Sequence, residues 1–89
     1  MTEISQIQTH LYPDGAIEFI TDVAGAVKKY VIDYGDSKDE KFVLPASETN
    51  ARFYSEHRYE QSGRYQVSVF AYDEYNRIAA RKRLSIVAA

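Results

Sequence analysis

The side chains that could carry chemistry fall into four groups. The first is acidic: Asp33, Asp36, Asp39 and Glu40 crowd one short segment, together with Lys38 and Lys41. Oxygen ligands at that density suit Ca2+, so Asp33, Asp36 and Asp39 are weak metal candidates. The spacing departs from an EF-hand loop, and the two lysines screen the acids. The preferred reading is that these short acids accept hydrogen bonds from the free backbone amides of a turn. The second group is the two histidines, His10 and His57. His57 lies in an apolar row and reads as a packed, hydrogen-bonded side chain, and His10 as a solvated one.

The third group is aromatic. Phe70 and Tyr72 alternate with Val69 and Ala71, so they point away from the core, and Val31 can extend them into a small patch. Val31, Phe70 and Tyr72 are therefore the candidate binding surface, for a protein partner or a stacked sugar. Lys29 is placed to lay its stem across one of these rings. The fourth group is basic: Arg81-Lys82-Arg83, with Arg77. Charges on an edge strand protect it against unwanted pairing. The alternative is docking to an acidic partner.

Little here supports catalysis. No serine sits in a nucleophile-elbow context, no glycine-rich phosphate loop is present, and there is no cysteine. The chain is expected to be no enzyme and to carry no cofactor, and the missing cysteines exclude disulfides and thiolate metal sites.

Eighty-nine residues make one domain, numbered 1 to 89. A chain of this size buries only about 60–65% of its unfolded surface, enough for one two-layer core. The net charge of −2 argues against a nucleic-acid partner. No apolar run reaches bilayer length, so no membrane contact is expected. The N-terminus lacks the basic and apolar regions of a signal peptide. The last apolar strand runs almost to the C-terminus, as if the chain were one module of a larger protein.

Eight tyrosines and four phenylalanines, with frequent Val and Ile, favour strands. Turn signals recur at short intervals, at Pro13-Asp14-Gly15, Ala24-Gly25, Gly35-Asp36-Ser37, Pro45-Ala46-Ser47, Gln61-Ser62-Gly63 and Asp73 to Asn76. Seven strands follow: Ile4 to Leu11, Ala16 to Asp22, Val27 to Tyr34, Lys41 to Leu44, Ala51 to Tyr59, Tyr65 to Tyr72 and Arg77 to Val87. Ser47 to Phe53 begins as a loop in this reading. The clearest period-2 signal is Tyr65, Val67, Val69 and Ala71 against Gln66 and Ser68. Lys82 falls in the apolar row of the last strand, so either a bulge resets the register there or it is an inward charge guarding an edge. The predicted core is Ile17, Phe19, Tyr30, Ile32, Phe53, Tyr59, Tyr65, Val67, Val69, Leu84 and Ile86. The predicted architecture is all-β, a seven-stranded antiparallel immunoglobulin-like sandwich.

Two stretches resemble the PKD domain family, whose fold is an immunoglobulin-like β-sandwich. Ile32-Asp33-Tyr34-Gly35-Asp36-Ser37 is similar to the family's W-D-F-G-D-G signature, with Ile32 for the Trp, Tyr34 for the Phe and Ser37 for the last Gly. The run from His57 to Asp73 resembles H-x-Y-x-x-x-G-x-Y-x-V-x-V-x-V-x-D at nearly every fixed place. The resemblance assigns Asp33, Gly35, Asp36, His57, Tyr59, Gly63 and Tyr65 a structural role. It also implies a non-catalytic module, acting as a spacer or contacting protein or glycan in a cell-surface, secreted or phage virion assembly. The domain is expected to be a monomer in isolation. The alternative is a carbohydrate- or Ca2+-binding accessory module of a polysaccharide- or protein-degrading enzyme.

Overall fold

The computed structural model describes residues Met1 to Ala89. It contains five antiparallel strands: β1 (Glu3–Leu11), β2 (Ile17–Asp33), β3 (Asp39–His57), β4 (Gly63–Tyr72) and β5 (Ile78–Ala88). The expected seven strands are a miscount. The second and third are two halves of β2, and the fourth and fifth are two halves of β3. The stretch from Ser47 read as loop is extended and belongs to β3.

The reason is that the breaks taken as turns are bulges. The β2–β3 register shifts between Val23 and Ala26, and again between Val27 and Lys29. At the first shift β2 carries one extra residue, which kinks a strand and sharpens its twist; at the second, Leu44 to Ser47 of β3 lie opposite Lys28 alone. Gly25 sits at the first kink with φ +87°, and a Cβ there would meet the Met1 carbonyl oxygen at 2.1 Å. Opposite it, Asn50 also has positive φ, and its Oδ1 accepts the Gly25 N–H at 3.0 Å. At the second kink the inward row of β2 changes parity. Ile17, Phe19, Thr21, Val23 and Val27 are buried before it, and Tyr30, Ile32 and Tyr34 after it. A one-residue slip swaps the two faces of a strand, so the bulge keeps both halves facing inward. The Lys28 ammonium donates to the Leu44 carbonyl there.

The sheet is therefore one curled ladder doubled over on itself, a half-barrel with sandwich-like layers. In one half, β1 and the end of β3 flank the start of β2. In the other, the order is β3, β2, β4, β5, with β4 inside the sheet as its apolar row predicts. The core lies between the halves. Phe19, Ile32, Val27, Val67 and Val69 are fully enclosed there, and Tyr30 and Tyr34 nearly so. Every predicted core residue is buried or packs against the core, with Tyr59, Tyr65 and Leu84 only half-buried. Ile4, Val23, Val27, Tyr34 and Ala71 belong to it as well. Lys82 lies opposite Val69 in the inward row yet remains exposed. The bulge in β5 sits instead at Ala79, between the pairs Ala71–Ala80 and Tyr72–Ile78, so Lys82 is the inward charge on an edge strand.

One buried hydrogen bond crosses between the two halves of β2. The hydroxyls of Thr21 and Tyr30 are 2.6 Å apart, and both residues are closed to solvent. Burial pushes the Tyr30 hydroxyl up to about 12, with the Thr21 bond acting in the opposite sense. Deleting one partner orphans the other, which costs about 1–3 kcal/mol, whereas deleting both is close to neutral. Tyr30→Phe and Thr21→Val should each lower stability by about 1–2 kcal/mol. The double variant should recover part of that loss in a denaturant-based double-mutant cycle. Strict additivity of the two single losses would show that the bond does not tie the halves together.

Candidate functional site

The residues with chemical potential separate into two places. The first is the tip of the β2–β3 hairpin, folded back onto the hairpin's own base. Asp33 Oδ1 accepts the Gly35 N–H at 2.9 Å, and Asp36 Oδ1 accepts the Lys38 N–H at 3.3 Å. These are the amide-accepting turn acids that the sequence implies. Gly35 has φ +84°, and a Cβ on it would meet the Gln66 carbonyl oxygen at 2.3 Å. The glycine thus permits both the turn and its close seat on β4. Ser37, in the place of the motif's last glycine, holds the left-handed conformation at φ 75°.

Asp36 reaches His57 from this tip, with Oδ2 at 2.7 Å from the imidazole Nε2. A carboxylate offers only acceptors, so Nε2 carries the shared hydrogen. The imidazole stacks on Tyr34 at 4.0 Å with planes 4° apart, and meets Tyr59 edge-on at 4.6 Å. Tyr59 stacks on Tyr65 at 4.2 Å. The Tyr59 hydroxyl donates to the Tyr34 carbonyl, and the Tyr65 hydroxyl to the Gln61 carbonyl, each at 2.7 Å. Gly63 opens β4 just after this corner, at φ +150° with open space around it. His57 is only 11% exposed at its side chain, and its neighbours are rings. The arrangement is a clasp in which the imidazole is nearly closed to solvent.

Sequence reasoning missed one member of the clasp. The Tyr34 hydroxyl donates to Glu40 Oε1 at 2.6 Å. Burial, reinforced by that bond, pushes the hydroxyl far above its usual range. Glu40 had been grouped with the loop acids, and only the β2–β3 register, which sets it opposite Ile32, shows that it shares Tyr34's side of the sheet.

The second place is the outer face of the β3-β2-β4-β5 layer. Val31 is paired directly with Phe70, and Lys29 with Tyr72. The Lys29 ammonium lies 4.1 Å from the Tyr72 ring centroid and donates to Asn76 Oδ1 at 2.8 Å. Phe70 is flanked on its other side by Arg81, and Ser68 by Arg83. Val31, Phe70 and Tyr72 line a shallow groove of about 200 Å3, whose rim carries Asp33, Asp39 and Lys38. The three aromatic-patch candidates and two of the three acidic candidates thus share one depression. Asp36 is turned away from it, towards His57. No three His, Asp or Glu side chains converge as a metal ion requires.

No protein-family model and no curated protein matches the chain. Among solved structures, the PKD domain of an M14-like peptidase from Thermoplasmatales archaeon SCGC AB-540-F20 superposes with a TM-score of 0.78. The match covers 98% of this chain and 94% of that one, at 17% sequence identity. The chain has the fold of a PKD domain.

Two outcomes follow for the clasp. Burial raises the Asp36 carboxyl, but the hydrogen bond and field of His57 and the Lys38 amide outweigh it and hold the group below the usual aspartate range. A depressed acid stabilises the fold above its unfolded-state value, near 3.9, and that stability disappears as pH falls through the lower folded value. Thermal melts from neutral pH down to acid should show the wild type losing more than Asp36→Asn below about pH 4. Parallel curves would remove Asp36 from the acid transition. Adding millimolar Ca2+ should leave Tm unchanged, because a ligand bound only by the folded state must raise it. A rise of several degrees that Asp36→Asn abolishes would reverse the structural assignment of these acids.

Proposed function

We propose that this chain is a non-catalytic PKD-like module of a secreted, cell-surface or virion assembly. It contacts a protein or glycan partner through the outer face around Phe70. The observation that carries this reading is the groove in which Val31, Phe70 and Tyr72 come together on a layer whose inner face already forms the core. A half-buried aromatic floor with a polar rim is the general build of a contact patch. Val43 and Ile78, both exposed, extend the row of Lys29 and Tyr72 to the two edges of the layer. Against this, the histidine that could have served catalysis is closed inside the clasp.

The accessory-module reading gains support from the similar structure, which is a domain of a peptidase. In that setting the domain presents or positions a polymeric substrate for a neighbouring catalytic unit, and the sugar- or peptide-stacking face is again Phe70 and Tyr72. A patch of this extent gives weak contact that gains strength by repetition along a polymer.

Phe70→Ser separates contact from packing, since the ring lies on the solvent side of β4. Its Tm should stay within a few degrees of the wild type, while retardation in affinity gels cast with soluble polysaccharides, or pull-down by the parent assembly, should fall. If Phe70→Ser unfolds the domain, the ring belongs to the packing and the domain is a plain spacer.

A further inference from the structure

We propose that the β5 side of the outer face binds an acidic polysaccharide, with uronate carboxylates held by Arg81 and Arg83 and a sugar ring laid on Phe70. The inference rests on the outer-face reading above and gives its ligand a chemical class. A groove of about 420 Å3 on this side is lined by Ser68, Phe70, Arg81, Lys82 and Arg83. It meets the groove of Val31 and Tyr72 at the shared Phe70 ring.

The register puts the contact side chains on one surface. Phe70 is paired with Arg81, and Ser68 with Arg83, across the β4–β5 ladder. Directly opposed residues share a face of a sheet, as do residues two apart along a strand. Ser68 and Phe70 alternate with the buried Val67, Val69 and Ala71, so all four side chains face away from the core. Lys82 belongs to the inward row of β5 and is left out of the site. It supplies the inward charge that guards the edge strand, so edge protection does not require the two outward arginines.

Charge and shape together select the ligand. The five ion pairs of the domain are made by Lys38, Arg52, His57, Arg58 and Arg77, so Arg81 and Arg83 have no carboxylate beside them. Both are exposed. The acids of the neighbouring groove, Asp33 and Asp39, lie on the β2 and β3 side. Asp33 is two strands away from Arg83, about 10 Å, and its Oδ1 accepts the Gly35 N–H. An anion is therefore drawn to the β5 side. Arg81 and Arg83 stand about 6.6–7 Å apart along the strand, and each guanidinium fork can take one carboxylate in bidentate fashion. Phe70, half-buried, supplies an apolar floor beside them. A uronate unit carries a carboxylate for a guanidinium, an apolar C–H face for the Phe70 ring and hydroxyls for Ser68 on one six-membered ring. An acidic peptide brings carboxylates without that attached apolar face, so it matches the arginines and leaves Phe70 unused.

The test follows amide resonances of the whole domain during titration with short oligogalacturonates, and separately with their methyl esters and with poly-L-glutamate. Saturable shifts at Ser68, Phe70, Arg81 and Arg83 are expected for oligogalacturonate, at an affinity several-fold tighter than for either comparison and weakened by added salt. Arg81→Gln/Arg83→Gln should weaken binding several-fold with Tm within a few degrees of the wild type, since neither side chain has a partner in the fold. Phe70→Ser should weaken it as well. Should that variant fail to fold, Phe70→Leu, which keeps an apolar side chain without a flat ring, takes its place. Methyl esters that bind as tightly, through Phe70 and without the arginines, would leave the outer-face reading standing and overturn the acidic ligand alone. Binding that needs the arginines but not Phe70 is plain charge attraction and overturns both. An equal or tighter response to poly-L-glutamate would assign the face to an acidic polypeptide, and shifts on dilution without ligand that the arginine variant abolishes would assign it to a second copy. Either outcome, or no saturable response to oligogalacturonate, overturns the proposal.

Discussion

A straight strand of seventeen residues is about 56 Å long at 3.3 Å per residue, and the longest dimension of this domain is 37 Å. β2 therefore has to bend, and β3, its partner over nearly the whole length, has to bend with it. Everything else in the structure follows from how that bend is made. Two irregularities do it, a bulge at Gly25 and a gap in pairing where Leu44 to Ser47 lie opposite Lys28 alone, and the β2–β3 ladder resumes beyond each. Once bent, the hairpin faces itself: Thr21 bonds Tyr30 within β2, and Phe19 of β2 packs against Tyr34, the residue that follows that strand. Tip and base are then fastened by Asp36 and Tyr34 on His57.

This geometry sorts the polar residues by availability. A doubled sheet has one inner face and one outer face, and groups at the meeting of tip and base are enclosed. His57 and Asp36 lie there, and the clasp occupies the hydrogen-bonding capacity they share. Residues on the outer rows, Arg81 and Arg83 among them, keep theirs. The clasp and the aromatic groove are products of the same fold-over, seen from its inside and from its outside.

The sequence made some of this legible. The alternation of Tyr65, Val67, Val69 and Ala71 places β4 and its outward pair Phe70 and Tyr72, because a strand packed on one side must show a period of two. The acids around Gly35 announce their turn, because short side chains and a glycine are what a tight reversal needs. Two things were hidden. Gly25 and Pro45 carry the signs of turns, and local composition does not distinguish a bulge from a chain reversal. The parity change after Val27 was likewise readable only as a break between strands. The second hidden feature is the meeting of Phe70 with Arg81, because the two lie on different strands and come side by side only through the register of β4 on β5. Lys82 shows the limit from the other side. The pattern offered a bulge or an exposed edge charge, and both devices exist in β5, but at different residues.

The near-parallel stack of His57 on Tyr34 has a spectroscopic consequence. With planes 4° apart and centroids at 4.0 Å, each ring lies in the shielding cone of the other, and Tyr59 adds its own ring current from the edge. The imidazole carbon-bound protons are thereby displaced from random-coil positions for as long as tip and base touch. Opening of the tip alone removes that displacement while the β4–β5 ladder stays protected, so the histidine signals report a local event that global probes average away. An aromatic stack that closes the hairpin is thus also a built-in, label-free reporter of whether it is closed.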